Sequence, residues 1–198
     1  MLKRVTLALL ALMLLVVVGC SKAPEAEMTA ASASFDAARA AEAEAYAPES
    51  FRTAQDTLNA AQAAKVEQDG KFALFRSYGK SKDMYVRAQA LAEKASQDAA
   101  AEKERVKAEV MVLMADAKAA IDSATAAVDK APKGKDTKAE IELIKNSLAA
   151  LTPAYTDAEM EFNNGKYLTA KTKFEGVMAQ AKSIQDEIAA AVAKKGGK

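Results

Sequence analysis

The sequence predicts an all-α fold, built as elongated antiparallel helical hairpins in a coiled-coil-like bundle with one very long central helix. Three observations carry that expectation. Ala, Glu, Lys, Gln and Leu, all strong helix formers, dominate the chain. The 8 glycines and 4 prolines are few and fall in clusters where helices can end. Past the N-terminal apolar run, no stretch alternates with the period of a strand, whereas apolar residues recur at spacings of three and four. Large side chains are sparse, so much of the inward surface is alanine. Such helices pack closely but each buries little area, which suits hairpins better than a broad core.

The chain opens with Lys3 and Arg4, followed by an apolar run from Leu7 to Val18. A basic start, an apolar stretch of roughly 7–15 residues and small residues before a cut are the parts of a secretory signal. A spanning helix needs about 20 apolar residues. This run is shorter, and Ser21-Lys22-Ala23-Pro24-Glu25 ends it. Its last residues, Val17-Val18-Gly19-Cys20, resemble the lipobox of bacterial lipoproteins. The resemblance implies cleavage between Gly19 and Cys20 and lipidation of Cys20, with diacylglycerol on the thiol and a further acyl chain such as palmitate on the new amine. It also implies an outer-membrane destination, because Ser21 stands where an aspartate retains such proteins in the inner membrane. Cys20 is the only cysteine, so no disulfide forms within one chain.

A tether over 20–28, containing Pro24, is expected next. A first helix follows from about Thr29 to Tyr46, with Phe35, Ala38 and Ala45 on one face. Pro48 suits the first turn of a second helix, where its missing N–H costs nothing. Glu49 favours the positive end of that helix. The second helix runs to about Gln68, with Phe51, Ala54, Leu58 and Ala61 facing inward. Asp69-Gly70 reads as a turn. A third helix is expected from Lys71 to Lys130, continuous through the charged Glu102-Lys103-Glu104-Arg105, which contains no breaker. Its late face is Val106, Val110, Leu113, Ala117, Ile121, Ala124 and Val128. Pro132 and Gly134 mark a linker over 131–137. Ile141, Ile144, Leu148, Leu151, Tyr155, Ala158 and Phe162 then repeat at 3-4-3-4-3-4, with a kink expected at Pro153. After Asn163-Asn164-Gly165, Tyr167, Ala170, Phe174, Val177, Ala181, Ile184 and Ile188 continue the seam. Two such helices on a tight turn predict an antiparallel hairpin.

The expected organisation is therefore a signal peptide over 1–19, the lipidated tether over 20–28 and an alanine-rich helical hairpin domain over 29–130. The linker over 131–137, a C-terminal hairpin over 138–194 and a polar tail over 195–198 complete it. Gly70-Lys71-Phe72 and Gly165-Lys166-Tyr167 occupy matching places between helices, so the two hairpins read as related. The second one resembles a tetratricopeptide-type hairpin without the full consensus. Tyr46-Ala47-Pro48-Glu49-Ser50-Phe51-Arg52-Thr53-Ala54, with Leu58-Asn59-Ala60-Ala61 and the Gly70-Lys71-Phe72 turn, resembles a domain of unknown function found in small Gram-negative lipoproteins. That family has no catalytic residues to carry over. The resemblance implies a helical hairpin close behind a lipidated cysteine.

Chemistry is constrained more by what the sequence lacks. With no histidine, neither a Ser-His-Asp triad nor a histidine metal site can be built. No phosphate-cradling glycine loop occurs, and no cofactor or metal is expected. The carboxylates Asp116, Asp122, Glu140 and Glu142 sit among lysines as solvated helix surface. Met111 and Met114 read as core, with an adaptable apolar groove as the alternative. Phe72, Phe75, Tyr78 and Tyr85 form a candidate partner patch whose competing reading is hairpin packing. Lys198, behind Lys195-Gly196-Gly197, is a candidate tie to peptidoglycan, by resemblance to the murein lipoprotein of enteric bacteria.

Removing Lys3 and Arg4 with the signal leaves 26 basic against 27 acidic side chains. That near-neutral balance gives no basic stripe for nucleic acid. The expected function is a non-enzymatic, lipid-anchored spacer or interaction module on the periplasmic face of the outer membrane. Membrane contact is through Cys20. A tetratricopeptide-like adaptor for a protein partner is the alternative, and the long heptads also permit homo-oligomers.

Overall fold

The computed structural model describes residues 22–131 and 138–196. Among them are six α-helices, one 3₁₀ turn and no strand. The helices are α1 (Glu25–Ala40), α2 (Ala43–Tyr46), α3 (Pro48–Asp69), α4 (Gly79–Asp129), α5 (Lys138–Asn163) and α6 (Tyr167–Gly196). The all-α expectation holds, including one long helix. Packing divides the chain into two compact units that meet at Glu102 and Lys103, inside α4. Cys20, Gly19, Lys198 and nearly all of the 131–137 linker lie outside the described residues.

In the first unit, α1 starts at Glu25, four residues earlier than expected, directly behind the buried Pro24. Glu25 and Glu27 in its first turn complement the helix dipole. The Thr29 hydroxyl donates back to the Glu25 carbonyl at 2.9 Å, inside the helix. The expected helix to Tyr46 is broken at Glu42, whose φ of 59° and ψ of 34° are left-handed. The break moves the buried positions from Ala38 to Ala43 and Tyr46 and leaves Ala45 exposed, against expectation. Ala47, non-helical at φ −137° and ψ 53°, leads into Pro48 at the first turn of α3.

Alanine then sets the packing. Ala31 and Ala38, Ala54 and Ala61, Ala88 and Ala95, and Ala92 and Ala99 are buried pairs seven residues apart. One methyl per two turns lets neighbouring backbones approach closely. Ser34 Oγ donates to Glu93 at 3.3 Å, and Lys82 pairs with Glu27 at 3.0 Å, so α1 and the early part of α4 run parallel. Ser50 Oγ donates to Asp98 at 2.6 Å, while Ala61 packs with Tyr85 and Ala31. α3 is therefore antiparallel to both.

In the second unit, α5 and α6 form the expected hairpin. Ile141, Ile144, Leu151 and Ala158 face Ala170, Phe174, Val177, Ala181, Ile184 and Ile188 from the buried side. Tyr155 meets Phe174 edge-on with centroids 5.3 Å apart, and Phe162 meets Tyr167 at 5.3 Å. Lys173 bridges Asp157 at 2.7 Å and Glu161 at 2.9 Å. α5 continues through Pro153, which is exposed together with Ala149 one turn earlier, so water can meet the carbonyl that proline leaves unpaired. Lys171 pairs with Glu109 at 2.7 Å and Lys107 stands over the Tyr167 ring at 5.9 Å, bringing the later part of α4 against α6. Met114 is half-buried, whereas Met111 is 57% exposed and outside the core expected of it.

Candidate functional site

The segment between α3 and α4 departs most from the sequence reading. A helix was expected from Lys71. Instead α3 ends at Asp69, a 3₁₀ turn spans Ala73–Phe75, and α4 begins only at Gly79. Side chains hold this connection open. The Arg76 guanidinium donates to the Asp69 carbonyl and to the Lys71 carbonyl, each at 2.9 Å. The Ser77 N–H donates to Gln68 Oε1 at 3.0 Å. The Tyr78 hydroxyl donates to Asp69 Oδ1 at 2.5 Å, and Lys65 donates to the other oxygen at 2.9 Å. The Arg76 bonds satisfy two carbonyls that would otherwise continue a helix, and the other bonds tie Ser77 and Tyr78 back to the end of α3.

The Asp69 carboxyl is consequently held below the ordinary carboxylate range, by the Tyr78 hydrogen bond first and by Lys65 second. Tyr78 and Lys65 are each pushed up by the same carboxylate. Tyr85 is also raised, by burial.

The four residues of the candidate patch separate here. Tyr78 and Tyr85, 4% and 1% exposed, are interior. Phe72 and Phe75 are 69% and 76% exposed, and their ring centroids lie 6.3 Å apart. A 3₁₀ turn eclipses residues three apart, and the Phe75 N–H to Phe72 carbonyl bond of 2.8 Å fixes that arrangement. The sequence reading missed Leu74, 49% exposed between them, and Val66, exposed one turn before the end of α3. It also missed Arg76 as the bracket of the turn. The available signal was the run Lys71-Phe72-Ala73-Leu74-Phe75-Arg76, whose three large apolar residues fit no single helix face.

The Tyr46–Phe51 segment is structural. Tyr46, Ala47 and Phe51 are buried at the corner between α2 and α3. Phe51 meets Phe35 edge-on at 5.7 Å, and Arg39 stands over its face at 5.8 Å. Ser50 and Lys94 both bond Asp98, which lowers its pKa, Lys94 having the larger effect. A carboxylate so held is a weak base, and Ser50 gains no activation from it. Among the described residues no acidic or cysteine cluster is arranged to hold a metal. None of their helices is long and apolar enough to cross a membrane. No protein-family model, curated protein or solved structure matches the chain.

Proposed function

We propose that this protein is a lipid-anchored, non-enzymatic helical module of the bacterial cell envelope. It sits on the periplasmic face of the outer membrane and acts there as a spacer or interaction surface. The observation that carries the reading is Val17-Val18-Gly19-Cys20 at the end of a short apolar run with a basic start. Several acyl chains on one residue give stable anchoring, where a single chain gives only marginal binding.

Two further facts support it. The sole cysteine would be consumed by the anchor, and the full sequence has no histidine to organise a nucleophile or a metal. The second is the resemblance of Tyr46-Ala47-Pro48-Glu49-Ser50-Phe51 to the domain of unknown function of small Gram-negative lipoproteins.

Metabolic labelling with a fatty-acid analogue tests the anchor. Wild-type protein is expected to be labelled and to fractionate with outer membranes, and Cys20→Ser to lose both. Labelling that survives the substitution overturns the reading.

A further inference from the structure

We propose that the Phe72–Phe75 turn is a second, non-covalent membrane contact, inserting into the interface of the phospholipid bilayer that holds the anchor. The inference rests on lipidation of Cys20 but names a different part of the molecule.

The start of α1, the end of α3 and the start of α4 share one end of the first unit. The Glu27–Lys82 pair joins the first and third of these, and the Tyr78–Asp69 bond joins the second and third. Pro24 is buried, so the chain leaves the bundle at a fixed point on that end. Only four peptide links separate Pro24 from Cys20, and they span at most about 14 Å. A lipid on Cys20 therefore brings this end, and not the α2–α3 corner, to the bilayer surface.

Phe72, Leu74 and Phe75 are large, apolar and exposed together, bracketed by Lys71 and Arg76. Contiguous exposed apolar groups mark interaction sites. Aromatic rings with flanking cations suit the boundary between headgroups and acyl chains. The carboxylates in the last turn of α3 are each paired, Glu67 with Lys71 at 3.0 Å and Asp69 with Lys65 at 2.9 Å. Arg76, Gln68 and Tyr78 also hold the turn in one conformation, so little ordering remains to oppose insertion.

The chain contains no tryptophan, so Phe75→Trp creates a single fluorescent reporter at an already exposed position. Arg52→Trp, also exposed, is the control at the far end of α3, about 27 Å away at 1.5 Å per residue. The lipidated proteins are placed on phosphatidylethanolamine–phosphatidylglycerol vesicles with brominated acyl chains. Phe75→Trp is expected to shift to the blue and be quenched, and Arg52→Trp to do neither.

Vesicle-bound protein with an unquenched Trp at 75 overturns the proposal while leaving the anchor intact. Emission already blue-shifted without vesicles places the turn against a second copy or another protein, and also overturns it. The same reporter in the Cys20→Ser background separates the two claims. Quenching there at high lipid supports the turn even if wild-type Cys20 proves unmodified. In that background, replacing Phe72, Leu74 and Phe75 by serine is expected to weaken vesicle partitioning at least about tenfold with helical content unchanged. Unchanged partitioning overturns the proposal.

Discussion

Tyr78 and Tyr85 lie seven residues apart and illustrate what a buried hydroxyl is worth. The Tyr78 hydroxyl donates to Asp69, whereas the Tyr85 hydroxyl is buried with no hydrogen-bond partner among the described residues. Burying a polar group unpaired costs free energy, and removing it restores that cost. Tyr85→Phe should therefore leave stability unchanged or raise it by up to about 1 kcal/mol. Tyr78→Phe should lower it, and urea denaturation of the two variants reads the contrast. Glu42 is a second residue-scale test. It holds a left-handed conformation that costs a non-glycine residue roughly 1–2 kcal/mol. Glu42→Gly and Glu42→Val delete the same carboxylate, but only valine adds a β-branched clash at φ > 0. The valine variant should be less stable than the glycine variant by about 1–2 kcal/mol. None of these three settings was legible in the sequence. The 3.6-residue period grouped Tyr78 and Tyr85 with Phe72 and Phe75, yet only Tyr85 lies in the helix, which begins at Gly79. Nothing in the local composition around Glu42 announces a left-handed residue.

Elements were legible where a hydrophobic seam was long and lost where side chains competed for the backbone. The α5–α6 seam is present as read, because apolar residues at 3-4 spacing have one face to bury. The two Gly-Lys-aromatic turns looked equivalent and are not. Gly165, at φ 77°, closes α5: its N–H bonds the Phe162 carbonyl and the Lys166 N–H bonds the Glu161 carbonyl, both at 2.9 Å. That is a Schellman closure, from which α6 starts at once. Gly70, at φ −72°, stays right-handed, and its N–H bonds the Val66 carbonyl at 3.2 Å. Arg76 and Tyr78 then hold the chain open for nine residues before α4, so the apparent repeat ends at the turn itself. The two glycines should respond oppositely to alanine. At Gly70 an added Cβ meets only the Val66 and Glu67 carbonyls at 3.8 and 3.7 Å. Gly70→Ala should thus gain about 0.5–1 kcal/mol through the unfolded chain. Gly165→Ala should lose about 1 kcal/mol to its left-handed backbone, though space is open around it. Thermal unfolding measures both, and equal effects would refute the distinction between the turns.

For the whole molecule, small apolar side chains place unusual weight on the polar pairs that line the helices. A buried alanine methyl contributes roughly 0.8 kcal/mol, a fraction of what a leucine does. Cross-helix pairs such as Lys82–Glu27 and Lys171–Glu109 then help fix which helix meets which. They also set how stability varies with pH. The carboxyls of Asp69, Asp98, Glu27 and Glu161 are held below their ordinary range, Glu161 by Lys173 first and Lys166 second. A carboxyl depressed in the folded state contributes stability that is present above its unfolded pKa of about 4 and is lost as pH falls through the folded value. Lys65, Lys173 and Tyr78 are raised, by Asp69, Asp157 and Asp69 respectively as the leading partners. Their contribution is present below the unfolded values near 10 and is lost as pH climbs past the folded ones. No histidine exists to titrate between these limits. Urea midpoints should accordingly form a plateau from about pH 5 to 9, with an acid limb below about 4 and an alkaline limb above about 10. Salt should flatten both limbs, since most of the partners are partly solvated. Replacing Lys173 by methionine should shrink both limbs, because it removes a raised ammonium and the leading partner of Glu161. A midpoint that moved between pH 6 and 8 would mean that a group other than these side chains controls the fold.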